Sequence, residues 1–226
     1  MTIRTYEVTL KGKMPLLMHH DNILWADQMD AWKNSADNAK TSKAGDDRSP
    51  PWRWIGCVYH DDTRLVIPTD NIAKCLMEGG VMVPVPGGRG GKTFKAQTMS
   101  GMTPEGACWP LIVYGHEIPW KPIEDLIENP SADFTMHRNT AEDLGFELFV
   151  KRAAVGASKH IRVRPRFDDW QATGRIIVWD EQITEAVLRE MLRMAGTYKG
   201  LGDWRPGAPK KPGPHGTFEA TVREVQ

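Results

Sequence analysis

Apolar and polar positions alternate from the start of the chain, with Tyr6, Val8 and Leu10 interleaved by Glu7, Thr9 and Lys11. A period of two puts every second side chain on one face, so this stretch predicts a strand with one buried side. Further strands are predicted at Trp109 to Val113, Glu142 to Val155, Ile161 to Phe167, Gln171 to Trp179 and Phe218 to Val225. Trp52 to Tyr59 and Thr63 to Ile67 flank His60-Asp61-Asp62 and read as a hairpin. Twice the period becomes helical. Ile72, Cys75 and Leu76 share a face in a segment that runs from Thr69 to a Gly79-Gly80 stop, with Thr69 or Asp70 available as a cap. Ile183 to Ala195 supplies the second helix.

The remaining stretches are insertions, a polar one at about 34–51 and a Gly-, Pro- and Lys-rich one at about 84–104. The order strand, helix, strands, helix, strand predicts an α+β protein. Its expected core is ferredoxin-like or RRM-like, βαββαβ with an antiparallel sheet and long loop insertions, in a single domain over residues 1–226.

Lys and Arg number 29 and Asp and Glu 29, so any site for a polyanion has to come from segregation of charge along the chain. Lys151, Arg152, Lys159, Arg162, Arg164 and Arg166 follow one another with no acid among them. Upstream, Glu124, Asp125, Glu128, Asp133, Glu142, Asp143 and Glu147 face Arg138 alone. Cys57, Cys75 and Cys108 have no metal-ligand spacing and are odd in number, which points to reduced thiols in a cytoplasmic protein. No stretch approaches the length of apolar sequence a membrane span needs, and no cofactor or metal is expected.

Candidate chemistry concentrates in Gly200-Leu201-Gly202-Asp203-Trp204-Arg205-Pro206, which leads through Lys210 and Lys211 to His215-Gly216-Thr217-Phe218. Glycines let a backbone approach a ligand closely, and the cations suit phosphates. Gly200, Gly202 and Gly216 are therefore expected to shape the loop, while Lys199, Arg205, Lys210 and Lys211 contact phosphate and Trp204 stacks on a base or lids the core. Arg162, Arg164 and Arg166 recur at strand period and form a cationic row, or a solvated face paired with acids. The loop Pro86-Gly87-Gly88-Arg89-Gly90-Gly91-Lys92-Thr93 ends like a P-loop, but Pro86 stands at the required first glycine and no long helix follows. Arg89, Lys92 and Lys95 remain as phosphate contacts from a basic loop. His20, Asp21 and His60 are the candidates for acid–base work, without the spacing of a metal site.

Three segments resemble one family, the RAMP superfamily of CRISPR-associated proteins, and in particular the backbone subunits that line a guide RNA. Leu65-Val66-Ile67-Pro68-Thr69-Asp70-Asn71-Ile72 is similar to their strand-to-helix element, Gly200 to Phe218 to their C-terminal glycine-rich loop, and Pro15-Leu16-Leu17-Met18-His19-His20 to their opening strand. Thr69 replaces the usual Gly, Asp70 and Asn71 a Ser pair, and Ala73 the family's Lys, with Lys74 following. The resemblance implies a compact relative, of phage or mobile-element type, that binds single-stranded RNA or DNA without catalysis and associates with itself or with other RAMP subunits. Two other functions follow from the same residues: a metal-independent endoribonuclease using His20 or His60, and an interaction protein that mimics or caps a RAMP assembly through its acidic stretch.

Overall fold

The computed structural model describes residues 2–39, 49–88, 90–155 and 158–225. Residues 40–48 of the first insertion, and Arg89 in the second, lie outside the described residues. In chain order the elements begin with β1 (Arg4–Gly12), β2 (Leu16–Leu17), α1 (Ile23–Asn34), α2 (Ala36–Ala39) and a 3-10 segment (Pro51–Cys57). Next come β3 (Val66–Pro68), α3 (Thr69–Gly80), α4 (Lys95–Ser100), β4 (Met102–Pro104), β5 (Cys108–Val113) and β6 (His116–Glu117). Helices α5 (Lys121–Glu128) and α6 (Phe134–Asp143) precede β7 (Glu147–Val155), β8 (Ser158–Phe167) and β9 (Trp170–Val178). The chain closes with α7 (Glu185–Met194), a π turn (Ala195–Lys199) and β10 (Phe218–Val225).

The protein is mixed α+β, with two antiparallel sheets. In the larger sheet the order is β10-β1-β9-β5-β3, with β4 added to β9 and β6 to β5. In the smaller, β2 and β7 flank β8. Alternation on β1 does what its period demands: Tyr6, Val8 and Leu10 are buried, and they join Ile72, Leu76, Leu188, Met191 and Leu192 from α3 and α7 in one core. The opposite face of the sheet is polar. Thr9 pairs with Thr173 through hydroxyls 2.9 Å apart and Glu7 accepts from Arg223, and no aromatic side chain stands beside them on β1, β9 or β10 for a base to stack upon.

Helix α3 covers the residues that its periodicity predicts, but its start differs. Pro68 occupies the cap position, so Thr69 is already helical and its hydroxyl donates to the carbonyls of Gly106 and Ala107 instead of capping. The hairpin expected at Trp52 to Ile67 reduces to one bridge between His60 and Leu65. Trp54 and Ile55 are buried on a 3-10 segment that Pro50 and Pro51 favour over a strand. The strand expected from Glu142 starts only at Glu147, because α6 reaches Asp143 and turns at Gly145, with φ of 85°. Inside the second insertion, α4 packs on α3 and β4 joins β9. Helices α1, α5 and α6 were not legible in the pattern.

Candidate nucleic-acid interface

The connector from Gly200 to Phe218 is held by its own backbone. Gly200 and Gly202 have φ of 68° and 77°, and Gly216 has φ of 69°, a region in which side-chain-bearing residues are strained. Those turns let Leu201 N–H donate to Gly216 O at 2.9 Å, Asp203 N–H to Leu17 O at 2.8 Å and Gly216 N–H to Pro15 O at 2.8 Å. The loop is thereby laid across the chain between β1 and β2, beside the smaller sheet.

At that seam Arg164 of β8 is buried. Its Nε donates to Asp203 Oδ2 at 3.2 Å, and its Nη1 donates to Cys57 Sγ at 3.2 Å and to Val163 O. Burial raises the Cys57 thiol above its ordinary value, so the sulfur stays a neutral acceptor. His19 stands 3.9 Å from Asp203 and 3.8 Å from Asp21. Burial and then Arg164 push its pKa down, which keeps the imidazole neutral at pH 7. Arg53 donates to Ile161 O, and burial, Arg164 and Arg162 lower its pKa in turn. The centre of this seam is therefore a place of concentrated positive charge in a chain with none overall.

Three depressions adjoin one another around Arg164, Asp203 and His19, and together they make up a trough at the seam. The first, of about 340 Å³, is walled by Leu17, Phe149, Lys151, Arg162, Arg164, Asp203, Trp204, Pro209, Lys210 and Lys211. The second, about 220 Å³, lies among His19, Tyr59, Asn71, Lys74, Gly202, Asp203 and Arg205. The third, about 360 Å³, lies between α1 and the 3-10 segment, with His19, His20, Asp21, Arg53, Cys57 and Arg164 in its walls. Arg164, Asp203 and His19 are each shared by two of the three. Cations outnumber carboxylates throughout, since Asp21 and Asp203 are the only acids in these walls.

No protein-family model matches this chain, and no curated protein matches it. Its chemistry rests on the residues themselves.

The tertiary structure gathers Arg162, Arg164, Trp204, Arg205, Lys210 and Lys211 along the trough. Their roles differ from a simple cationic row. Arg205 makes a two-pronged ion pair with Glu78 of α3, at 2.8 and 3.2 Å, and also donates to Lys199 O. Glu78 raises its pKa, and the pair anchors the loop to the helix. Lys199 contributes its carbonyl there, and it lines none of the three depressions. Trp204, with φ of 48°, carries the Lys151 ammonium 2.9 Å from its ring centroid and packs against His215 at 5.1 Å. Arg166 is drawn away: it pairs with Glu147 at 3.2 Å and Asp168 at 2.8 Å and lines a separate depression near Tyr114. Arg162 makes no ion pair among the described residues.

Lys92 and Lys95 are exposed beyond the C-terminal end of α3, where Phe94 N–H donates to Val83 O, and neither reaches the trough. Arg89 lies outside the described residues. His20 stacks on Tyr59, with centroids 4.7 Å apart, and lines the third depression with Asp21. His60 stacks on Trp120 at 3.7 Å and lines none of the three. Among the described residues no group of three or more His, Cys, Asp or Glu could hold a metal ion, and no helix is long and apolar enough to cross a membrane.

Sequence reasoning passed over Arg53, Lys74, Phe149 and Lys151 as site residues. Lys151 had a signal, since it opens the acid-free basic run. Arg53 sits alone among aromatic and proline residues, and only the docking of the 3-10 segment against β8 brings it in.

Proposed function

We propose that this chain binds single-stranded nucleic acid, RNA ahead of DNA, without catalysing a reaction, as a repeated subunit along the strand. One observation carries this: the trough concentrates cations around a buried arginine in a protein of zero formal charge. A phosphodiester chain is the ligand such a surface suits, because each neutralised phosphate releases condensed counterions. The trough has three separate open depressions, which suits a ligand with several phosphates better than a compact small molecule.

Membership of the RAMP superfamily and a ferredoxin-like core are part of the proposal. The order β10-β1-β9-β5, with α3 between β1 and β5 and α7 between β9 and β10, supports that plan. So does the run of β3 straight into α3 at Val66 to Asn71, and the position of the glycine-rich loop after α7. A cytoplasmic location and self-association or partnership with other RAMP subunits belong to the same proposal.

The test is anisotropy of labelled single-stranded RNA and DNA against salt. Log affinity is expected to fall linearly with log salt, by about 0.7 per phosphate contacted, and Arg162→Ala and Lys210→Ala are each expected to flatten that slope. Salt-independent or absent binding overturns it. The endoribonuclease alternative is favoured by His20, Asp21 and His19 meeting in the third depression. Cleavage of the RNA in the same tubes, without metal and lost in His20→Ala, would replace binding by catalysis. The alternative of a RAMP mimic draws on the acidic face of α5 and α6, and co-purified nucleic acid would count against it. That face is partly self-neutralised, since Lys121 lies 3.1 Å from Glu124 and 2.9 Å from Asp125.

A further inference from the structure

We infer that the first depression is a seat for one nucleobase of the bound strand, with Phe149 and Trp204 as its aromatic walls. This rests on the proposal that the chain binds a strand. The depression combines apolar side chains with cations: Leu17, Phe149 and Pro209 line it together with Arg162, Lys210 and Lys211. Apolar walls with a few placed charges are the mark of a small-ligand pocket, and about 340 Å³ is the size of one. A base with its phosphate divides its chemistry in the same way, into a flat apolar ring and an anion.

The aromatic residues come from two separate elements. Phe149 projects from β7 opposite Arg164 on β8, and Trp204 comes from the glycine-rich loop. His215 bridges them, with centroids 5.9 Å from Phe149 and 5.1 Å from Trp204. A Cβ at Gly213 would collide with the indole, so the loop backbone holds Trp204 in place. The Lys151 ammonium rests over that ring. Entry of a base exchanges the ammonium for a π-face, and it frees Lys151 to follow the flanking phosphate. Asp203, already bound to Arg164, lines the depression without adding an unpaired charge.

The experiment compares a labelled oligouridylate with an abasic ribose-phosphate strand of equal length, by anisotropy at one salt concentration. The wild-type protein is expected to bind the base-bearing strand about 5- to 150-fold more tightly, as one stacked base implies. Phe149→Ala is expected to shrink that ratio towards one, and Phe149→Leu, which keeps apolar volume on β7, to shrink it as well. Lys210→Ala is expected to weaken both strands alike. Equal binding of the two strands by the wild-type protein overturns the base seat and leaves strand binding standing. Failure to bind either strand overturns both. If uridine monophosphate binds as tightly as the oligouridylate, the occupant is a free nucleotide and the strand-borne base is overturned.

Discussion

Arg164 Nε donates to Asp203 Oδ2 at 3.2 Å, and through Nη1 the same buried guanidinium reaches Cys57. One side chain thus ties β8, the glycine-rich loop and the 3-10 segment together at the centre of the trough. Asp203 is the counterion that makes burial of this arginine tolerable, and it is also a negative charge where a phosphate chain would run. Asp203→Asn is therefore expected to do two opposite things. Stability should fall by about 1–2 kcal/mol as a charge-assisted bond weakens, and strand affinity at low salt should rise several-fold. Urea unfolding and anisotropy check the two effects separately, and unchanged or weaker binding would remove the trough from consideration.

Arg205 and Glu78 separate an anchor from a phosphate contact. Both are largely buried and bonded in two places, so breaking the pair is expected to cost about 2–4 kcal/mol. If Arg205 acts by holding the loop, Glu78→Gln should weaken strand binding as Arg205→Ala does, although it removes an acid. If Arg205 acts on phosphate directly, Glu78→Gln should leave binding equal or tighter. Thermal midpoints together with anisotropy distinguish these outcomes.

Gly216 is constrained twice. Its φ of 69° strains any side chain, and a Cβ there would strike Leu201 O. Gly216→Ala is expected to cost at least about 2 kcal/mol and to loosen the loop from Pro15, a loss that amide hydrogen exchange at Leu201 and Gly216 would report. Gly90, with φ of 71° and open space around it, is the control. Gly90→Ala should cost no more than about 1–2 kcal/mol of strain.

Trp54 Nε1–H donates to Nδ1 of His137 at 3.1 Å, with both residues buried. That bond requires a neutral imidazole, and burial lowers the pKa of His137 from its ordinary 6.5. The unfolded chain takes up a proton near 6.5 and the folded chain only at lower pH. Stability is accordingly complete above that value and declines as pH falls through the interval below it. His19, His60 and His215 shift in the same direction, each chiefly through burial. Thermal midpoints are expected to drop as pH falls below about 6.5. They should drop less steeply in His137→Gln, whose amide oxygen still accepts from Trp54 without titrating.

Local order was legible where a segment's own periodicity decides it. Strand β1, helices α3 and α7, and strands β5, β8, β9 and β10 follow from spacing, because a period of two or of 3.6 describes one segment regardless of its neighbours. The glycines of the loop were legible for the same reason, as positions at which only the backbone's own freedom matters. Helix α1 was not, since none of its residues is buried and it has no strong apolar face.

The trough depended on the tertiary structure. His19, Arg53, Lys74, Lys151, Arg164 and Asp203 come from six separate parts of the chain and meet only because the β7–β8 ribbon docks against the glycine-rich loop and the 3-10 segment. Strand period puts Arg162, Arg164 and Arg166 on one face. It says nothing of what covers each one, and the covering assigned them to the open trough, to Asp203 and to Glu147 with Asp168. Charge along a sequence is a sum over residues, whereas a field at a point depends on distance and burial. Folding alone supplies those two quantities.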